Sequence, residues 1–142
     1  MKSVRTLTTI CLLVAATALF AQTENRQLLT ARIPFDFSAG NSSLPAGEYS
    51  ISTVLPERMI RIDSADGRHS VIVKTLPNYA ASPSENCRLV FTRYGEDYFL
   101  AQIWVAGENV GRNPILSGRA TDLAKKGSFS QTMTVAAKLS HR

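Results

Sequence analysis

Ile60-Arg61-Ile62-Asp63-Ser64-Ala65-Asp66-Gly67-Arg68-His69-Ser70-Val71-Ile72-Val73 is the stretch that decides the fold class. Asp66-Gly67 is a two-residue turn pair in which both positions tolerate positive φ. Folding the chain back on that pair sets Ile62 opposite Val71 and Ile60 opposite Val73. Arg61 then faces Ile72, and Asp63 faces Ser70, on the other side. A single register that gives a single apolar face is the mark of an antiparallel hairpin.

A second hairpin is predicted from Cys87 to Val105 around Gly95-Glu96-Asp97. A three-residue loop pairs Phe91 with Ala101, Leu89 with Ile103 and Cys87 with Val105, one apolar stripe with Arg93 and Phe99 at its tip. It needs Asp97 in the left-handed region, which aspartate tolerates better than most residues. A two-residue loop would set Phe91 against Gln102 and fits the pattern less well. The favoured register puts Tyr94 with Tyr98, Thr92 with Leu100, Val90 with Gln102 and Arg88 with Trp104 on the opposite face. That face is too apolar for plain solvent. Either another segment covers it, or Tyr94, Tyr98, Leu100, Trp104 and Arg88 form an exposed patch for a partner or a sugar ring. Burial beneath residues 107–127 would remove the second option.

Strand signals run through the rest of the chain. Ile33, Phe35 and Phe37 alternate with polar residues as one half-buried strand, with Pro34 pointing to an edge or bulge. Gly40-Asn41-Ser42-Ser43 reads as a turn or loop. Leu44-Pro45-Ala46-Gly47 reads as a tight turn with positive φ at the glycine. Tyr49, Ile51 and Thr53 share a face of the strand that follows. Residues 77–86 read as a loop, and Gly107, Gly111 and Pro114 as breaks in regular structure. Ser117 is positioned to cap a short helix through Leu123 and Ala124 to Lys126, ended by Gly127. Phe129, Gln131, Met133, Val135 and Ala137 then alternate with a serine- and threonine-rich face that meets water.

The expected fold is therefore all-β: a single antiparallel small β-barrel or β-sandwich of six to eight strands, with one short C-terminal helix. Its core is expected from Phe35, Phe37, Tyr49, Ile51, Ile60, Ile62, Val71, Val73, Leu89, Phe91, Phe99, Ile103 and Val135. A transmembrane barrel is not expected. About seven strands are counted, there is no regular outward apolar band, and the chain ends in polar His141-Arg142.

Residues 1–21 have the layout of a secretory signal. Lys2 and Arg5 form a basic start, Leu7 to Phe20 run uncharged and apolar, and small Ala21 precedes polar Gln22. Thr6 to Thr23 also approach the length of a membrane span, so the segment serves as an anchor if it is not cleaved. The organisation expected is signal 1–21, a flexible mature N-terminus 22–29, a β domain 30–138 and a polar tail 139–142. Cleavage removes two of the positive charges behind the net +5. The remaining basic residues are dispersed, which speaks against a nucleic-acid partner. Cleavage also removes Cys11, leaving Cys87 as a lone free thiol. It shares a strand face with Leu89 and Phe91 and is expected to be buried.

Catalytic and metal signals are weak. His69, His141 and Cys87 have no metal-ligand spacing, and Asp63-Ser64-Ala65-Asp66-Gly67 lacks the later glutamate of a calcium loop. His69 is the sole plausible base for a hydrolase with a serine and an acid, and it flanks a turn. No nucleophile elbow or phosphate loop occurs. The expected function is a periplasmic or secreted non-catalytic binding or envelope-associated module, not an enzyme and without a cofactor. Its candidate partners are carbohydrate, lipid or an envelope protein. The alternatives are a small barrel carrying an apolar ligand, which needs an internal cavity, and the His69 hydrolase.

Ile33-Pro34-Phe35-Asp36-Phe37 running into Leu44-Pro45-Ala46-Gly47-Glu48-Tyr49, then Phe91-Thr92-Arg93-Tyr94-Gly95 with Tyr98-Phe99-Leu100, then Gly111-Arg112, stand in that order behind the signal. Over about residues 30–125 this pattern resembles a family of small exported proteins of acidobacterial type with no assigned function. The resemblance implies export and a β domain, and carries no catalytic residues.

Overall fold

A computed structural model describes residues 26–54 and 58–140. Among them are ten strands and one helix. The strands are β1 (Arg26–Ile33), β2 (Phe37–Ala39), β3 (Ser42–Leu44), β4 (Gly47–Val54), β5 (Met59–Ser64), β6 (Ser70–Tyr79), β7 (Arg88–Tyr94), β8 (Asp97–Trp104), β9 (Val110–Pro114) and β10 (Ser130–Leu139). The helix, α1, spans Gly118–Lys125 between β9 and β10. Eight strands follow one another in a closed antiparallel ring, β8-β7-β10-β1-β4-β5-β6-β9, and the β8–β9 pairing shuts it. The short β2–β3 hairpin lies outside the ring, joined to β8 in parallel at Ser38 and Phe99. The fold is a barrel, not a sandwich.

The barrel is filled because an eight-stranded ring leaves just enough interior for side chains. Alternate residues point inward: Leu29, Ala31 and Ile33 from β1, Tyr49 and Ile51 from β4, Ile60 and Ile62 from β5, Val73 from β6. Leu89 and Phe91 from β7 meet Leu100 and Ile103 from β8, and all of these are buried. Phe35 and Phe37 set their rings edge-on to Phe91, at 5.1 and 5.5 Å between centroids. Many of the intervening positions face outward and are polar, among them Arg32, Glu48, Ser50, Arg61, Asp63 and Lys74, while Ile72 and Leu76 of β6 are exposed apolar residues. The ring reaches the strand number of the smallest membrane barrels, one more than the sequence count. The outward charges of Arg32, Glu48, Arg61, Asp63 and Lys74, rather than strand number, speak against a membrane barrel. No helix of the described residues is long and apolar enough to cross a membrane.

The β5–β6 hairpin has the predicted register, with Ile62 opposite Val71 and Ile60 opposite Val73. In the second hairpin the predicted pairs hold at its base, Leu89 with Ile103 and Arg88 with Trp104. A bulge follows Val90, so Phe91 meets Leu100 rather than Ala101, and Tyr94 meets Asp97 rather than Tyr98. Absorbing one residue in a bulge lets Gly95-Glu96 turn in two residues, with Gly95 at φ +61° in place of a left-handed Asp97. The cap is as expected: Ser117 Oγ accepts from the Ala120 N–H at 3.2 Å, and Gly127 has φ +67°.

Four further expectations are corrected. Residues 33–37 are not one strand: β1 ends at Ile33, and Pro34-Phe35-Asp36 carry the chain out to β2. Positive φ falls at Gly40, in the β2–β3 turn, and not at Gly47. Residues 77–86 are not wholly loop, since β6 continues through Pro77 to Tyr79. Thr75 donates its N–H to Arg58 at 2.8 Å on the β5 side. Pro77 faces that same side beyond the end of the β5 pairing, so its missing donor is not needed there. Residues 110–114 are not a break but the closing strand β9, paired with β6 and β8. The signal, residues 1–21, lies outside the described residues. Of the expected flexible lead, residues 26–29 belong to β1, and β10 extends to Leu139.

Candidate functional site

The five residues of the expected aromatic patch do not come together. The bulge turns Leu100 into the barrel, where it is 2% exposed. Tyr98 also turns inward, toward the barrel mouth. It stacks on Phe35 at 3.9 Å between centroids, with the Arg93 guanidinium 5.3 Å from its ring. Trp104 stays on the outer side but is buried, because β9 lays Gly111 directly beneath its ring. Arg88 covers it at 5.5 Å from the ring centroid, itself donating to Ser84 Oγ at 2.8 Å. Tyr94 packs edge-on against Phe99, 6.0 Å away. Coverage, not an exposed patch, is the outcome. Phe99 is buried too, but outside the barrel and apart from its core cluster.

A polar concavity lies outside the barrel, at the end where β7 turns into β8. It is a cleft of about 440 Å³ between the Asp36 crossing, the β2–β3 hairpin, the Glu96-Asp97 turn and the start of α1. Asp36, Asn41, Ser43, Glu96, Asp97 and Arg119 are among its polar lining residues, and Phe99 also lines it. Local hydrogen bonds hold Asp36, Asp97 and Arg119 in place. Asp36 Oδ1 accepts the Ala46 N–H at 2.8 Å, tying the crossing segment to the start of β4. Arg119 Nη2 donates to Asp97 Oδ2 at 2.7 Å, joining α1 to the hairpin tip. Arg93 donates through Nε to the Gly95 carbonyl at 2.6 Å and reaches Glu96 at 3.7 Å. Three carboxylates against one lining guanidinium give the cleft an acidic balance on a net-positive chain. In the sequence Glu96 and Asp97 read only as turn residues. Nothing local in the chain brings Asp36 and Arg119 to them.

A second cleft of about 480 Å³ runs beside the start of β7 and the outer face of β10, past Cys87, Arg88, Thr134 and Ala136. Cys87, expected to be buried, packs against the core but is only partly buried, and its Sγ accepts the Ala106 N–H at 3.2 Å.

The hydrolase constellation is present only as a turn. Ser64 Oγ donates to Asp66 Oδ1 at 2.6 Å and accepts from the main-chain N–H of His69 at 2.9 Å. The contacts of Ser64 are with the backbone of His69, so the imidazole is not set to take the serine proton. The Ser64 hydroxyl, with the Arg68 N–H, holds the Asp66 carboxyl below the usual aspartate range. Among the described residues no three His, Cys, Asp or Glu side chains are grouped to hold a metal ion. Comparison with protein-family models, with curated proteins and with solved structures finds no match for this chain.

Proposed function

We propose that this chain is an exported, non-catalytic binding module of the bacterial envelope or exterior that works through its outer surface. The observation that carries this is the filled barrel. Leu29, Ile51, Ile60, Ile62, Leu89 and Phe91 are at 0% exposure, leaving no room for an apolar passenger. A carrier needs a cavity of a few hundred Å³ inside, and the clefts here are outside. The contact site is the acidic cleft of Asp36, Asn41, Ser43, Glu96, Asp97 and Arg119. Carboxylates, an amide and hydroxyls suit a polar, hydroxyl-bearing ligand, and among the candidate partners that favours carbohydrate over lipid. Export rests on residues 1–21, and the resemblance to small exported proteins of acidobacterial type agrees with it.

The test has two parts. Mass spectrometry of the protein recovered from periplasm or medium should find a chain beginning at Gln22; a full-length mass there refutes cleavage. Titration with soluble envelope oligosaccharides, followed by NMR, should move the Asp97 and Arg119 signals. Shifts confined to other faces, or none, remove the cleft from the proposal.

A further inference from the structure

Among the described residues, one edge of β10 in the barrel wall is unpaired. β10 pairs with β7 from Ser130 to Ala136, whereas β1 meets it only at Ala137, Lys138 and Leu139. The Ala137 N–H donates to the Cys87 carbonyl at 3.1 Å, on the β7 side. Main-chain direction alternates along a strand, so the N–H groups of Gln131, Met133 and Val135 also face β7. Those of Ser130, Thr132, Thr134 and Ala136, with their carbonyls, face the other way. Among the described residues no strand lies there, because β1 parts from β10 after Ala31 on its way to β2. Residues 130–134 are exposed on both faces of the strand, and Phe129 just before them is 81% exposed.

An open edge is a template for another strand, and proteins guard such edges with lysine, proline, bulges or short length. This one has none of those guards: Ser130-Gln131-Thr132-Met133-Thr134-Val135-Ala136 carries no charge and no proline, and pairs with β7 without a bulge. The exposed groups are main-chain donors and acceptors in a row, so what fits them is an extended backbone.

We propose that β10 pairs antiparallel with β10 of a second copy of this chain, about a two-fold axis at Met133. That register sets Ser130 against Ala136 and Thr132 against Thr134 of the other copy. Every edge-facing residue of one chain then meets an edge-facing residue of the other, and all the free donors and acceptors along residues 130–136 are used. The register is also compatible in charge. It sets Lys138 opposite Ser128 and Lys126 opposite Ser140, so the lysines that flank the uncharged run do not oppose each other. Thr132 and Thr134 make two cross-strand threonine pairs on the outer face, a favourable pairing in sheets.

Sedimentation equilibrium should show the mass doubling as concentration rises. Thr134→Pro should abolish the doubling while leaving the circular dichroism unchanged, since its N–H points away from β7. A second variant reads the register directly: Met133→Cys, with Cys11→Ser and Cys87→Ser, should form an interchain disulfide in air. Facing residues at such a non-hydrogen-bonded position sit about 4.5 Å apart between Cα atoms, within disulfide range. A wild-type chain that keeps a single-chain mass at every soluble concentration overturns the proposal, including the case where an extended peptide occupies the edge instead. So does a dimer that survives Thr134→Pro and fails to cross-link through residue 133.

Discussion

Gly111 earns its place through Trp104. A Cβ at position 111 would lie 2.8 Å from Cε3 and 2.9 Å from Cδ2 of the indole, a rigid ring that cannot swing aside cheaply. Gly111→Ala should therefore destabilise by about 1–3 kcal/mol, and a double-mutant cycle with Trp104→Leu should recover much of that loss in urea unfolding. Thr75 presents the opposite case: its hydroxyl is buried inside the wall with no hydrogen-bond partner. Thr75→Val should raise stability by about 1 kcal/mol, because an unsatisfied buried polar group costs roughly 1–3 kcal/mol. Phe91 is fully buried with Phe35 and Phe37 against its ring, so Phe91→Ala should cost about 3–5 kcal/mol. An unchanged melting temperature in that variant would contradict the core described here. Asp66 and Tyr49 each contribute to the pH dependence of stability. The folded state lowers the Asp66 value, so its contribution is present above the ordinary aspartate pKa and is lost as pH falls through the lowered one. Ser64→Ala should raise the Asp66 value in a carbon-detected NMR titration. Burial, then the charges of Asp66 and Asp36, raises Tyr49. That contribution is present below the ordinary tyrosine pKa and disappears as pH climbs through the raised one.

Elements differ in how openly the sequence announces them. The β5–β6 hairpin was legible to the residue because Asp66-Gly67 and the alternation on both arms agree. α1 was legible from Ser117 and Gly127, and Ser117→Ala should cost about 1 kcal/mol through loss of the N-cap bond. Thermal unfolding of that variant is the check. β9 was hidden, because Gly111, Asn113 and Pro114 are poor strand formers. It is a strand only because β6 pairs with it and its glycine receives Trp104. The β8 bulge was hidden for a related reason. Phe99, Leu100 and Ala101 are all apolar, so either parity gives a plausible stripe, and only the barrel decides which ring goes in. That single residue moved Leu100 and Tyr98 to the inner face and dissolved the expected patch. The candidate cleft was illegible because Asp36, Asp97 and Arg119 are far apart in the chain and ordinary at the sites where each stands.

At the scale of the whole molecule the decisive property is closure around a filled interior. The barrel leaves a ligand only its outside, and native mass spectrometry of the purified protein should find no retained lipid. A stoichiometric apolar adduct would return the carrier reading. Among the described residues the wall is open along one half of β10, where the chain leaves it at Pro34 to build the β2–β3 hairpin, and β8 meets β9 at the Ile103–Arg112 pair. The sequence by itself determined the all-β class, the inward positions of most strands and the capped helix. Each of these follows from residues close together in the chain: turn chemistry, two-residue alternation and capping. Only the tertiary structure decided the barrel over the sandwich, the use of Gly111–Pro114 to close it, the burial of Trp104, the acidic cleft and the open edge. Those depend on which distant strands become neighbours, and alternation is the same whichever partner a strand finds.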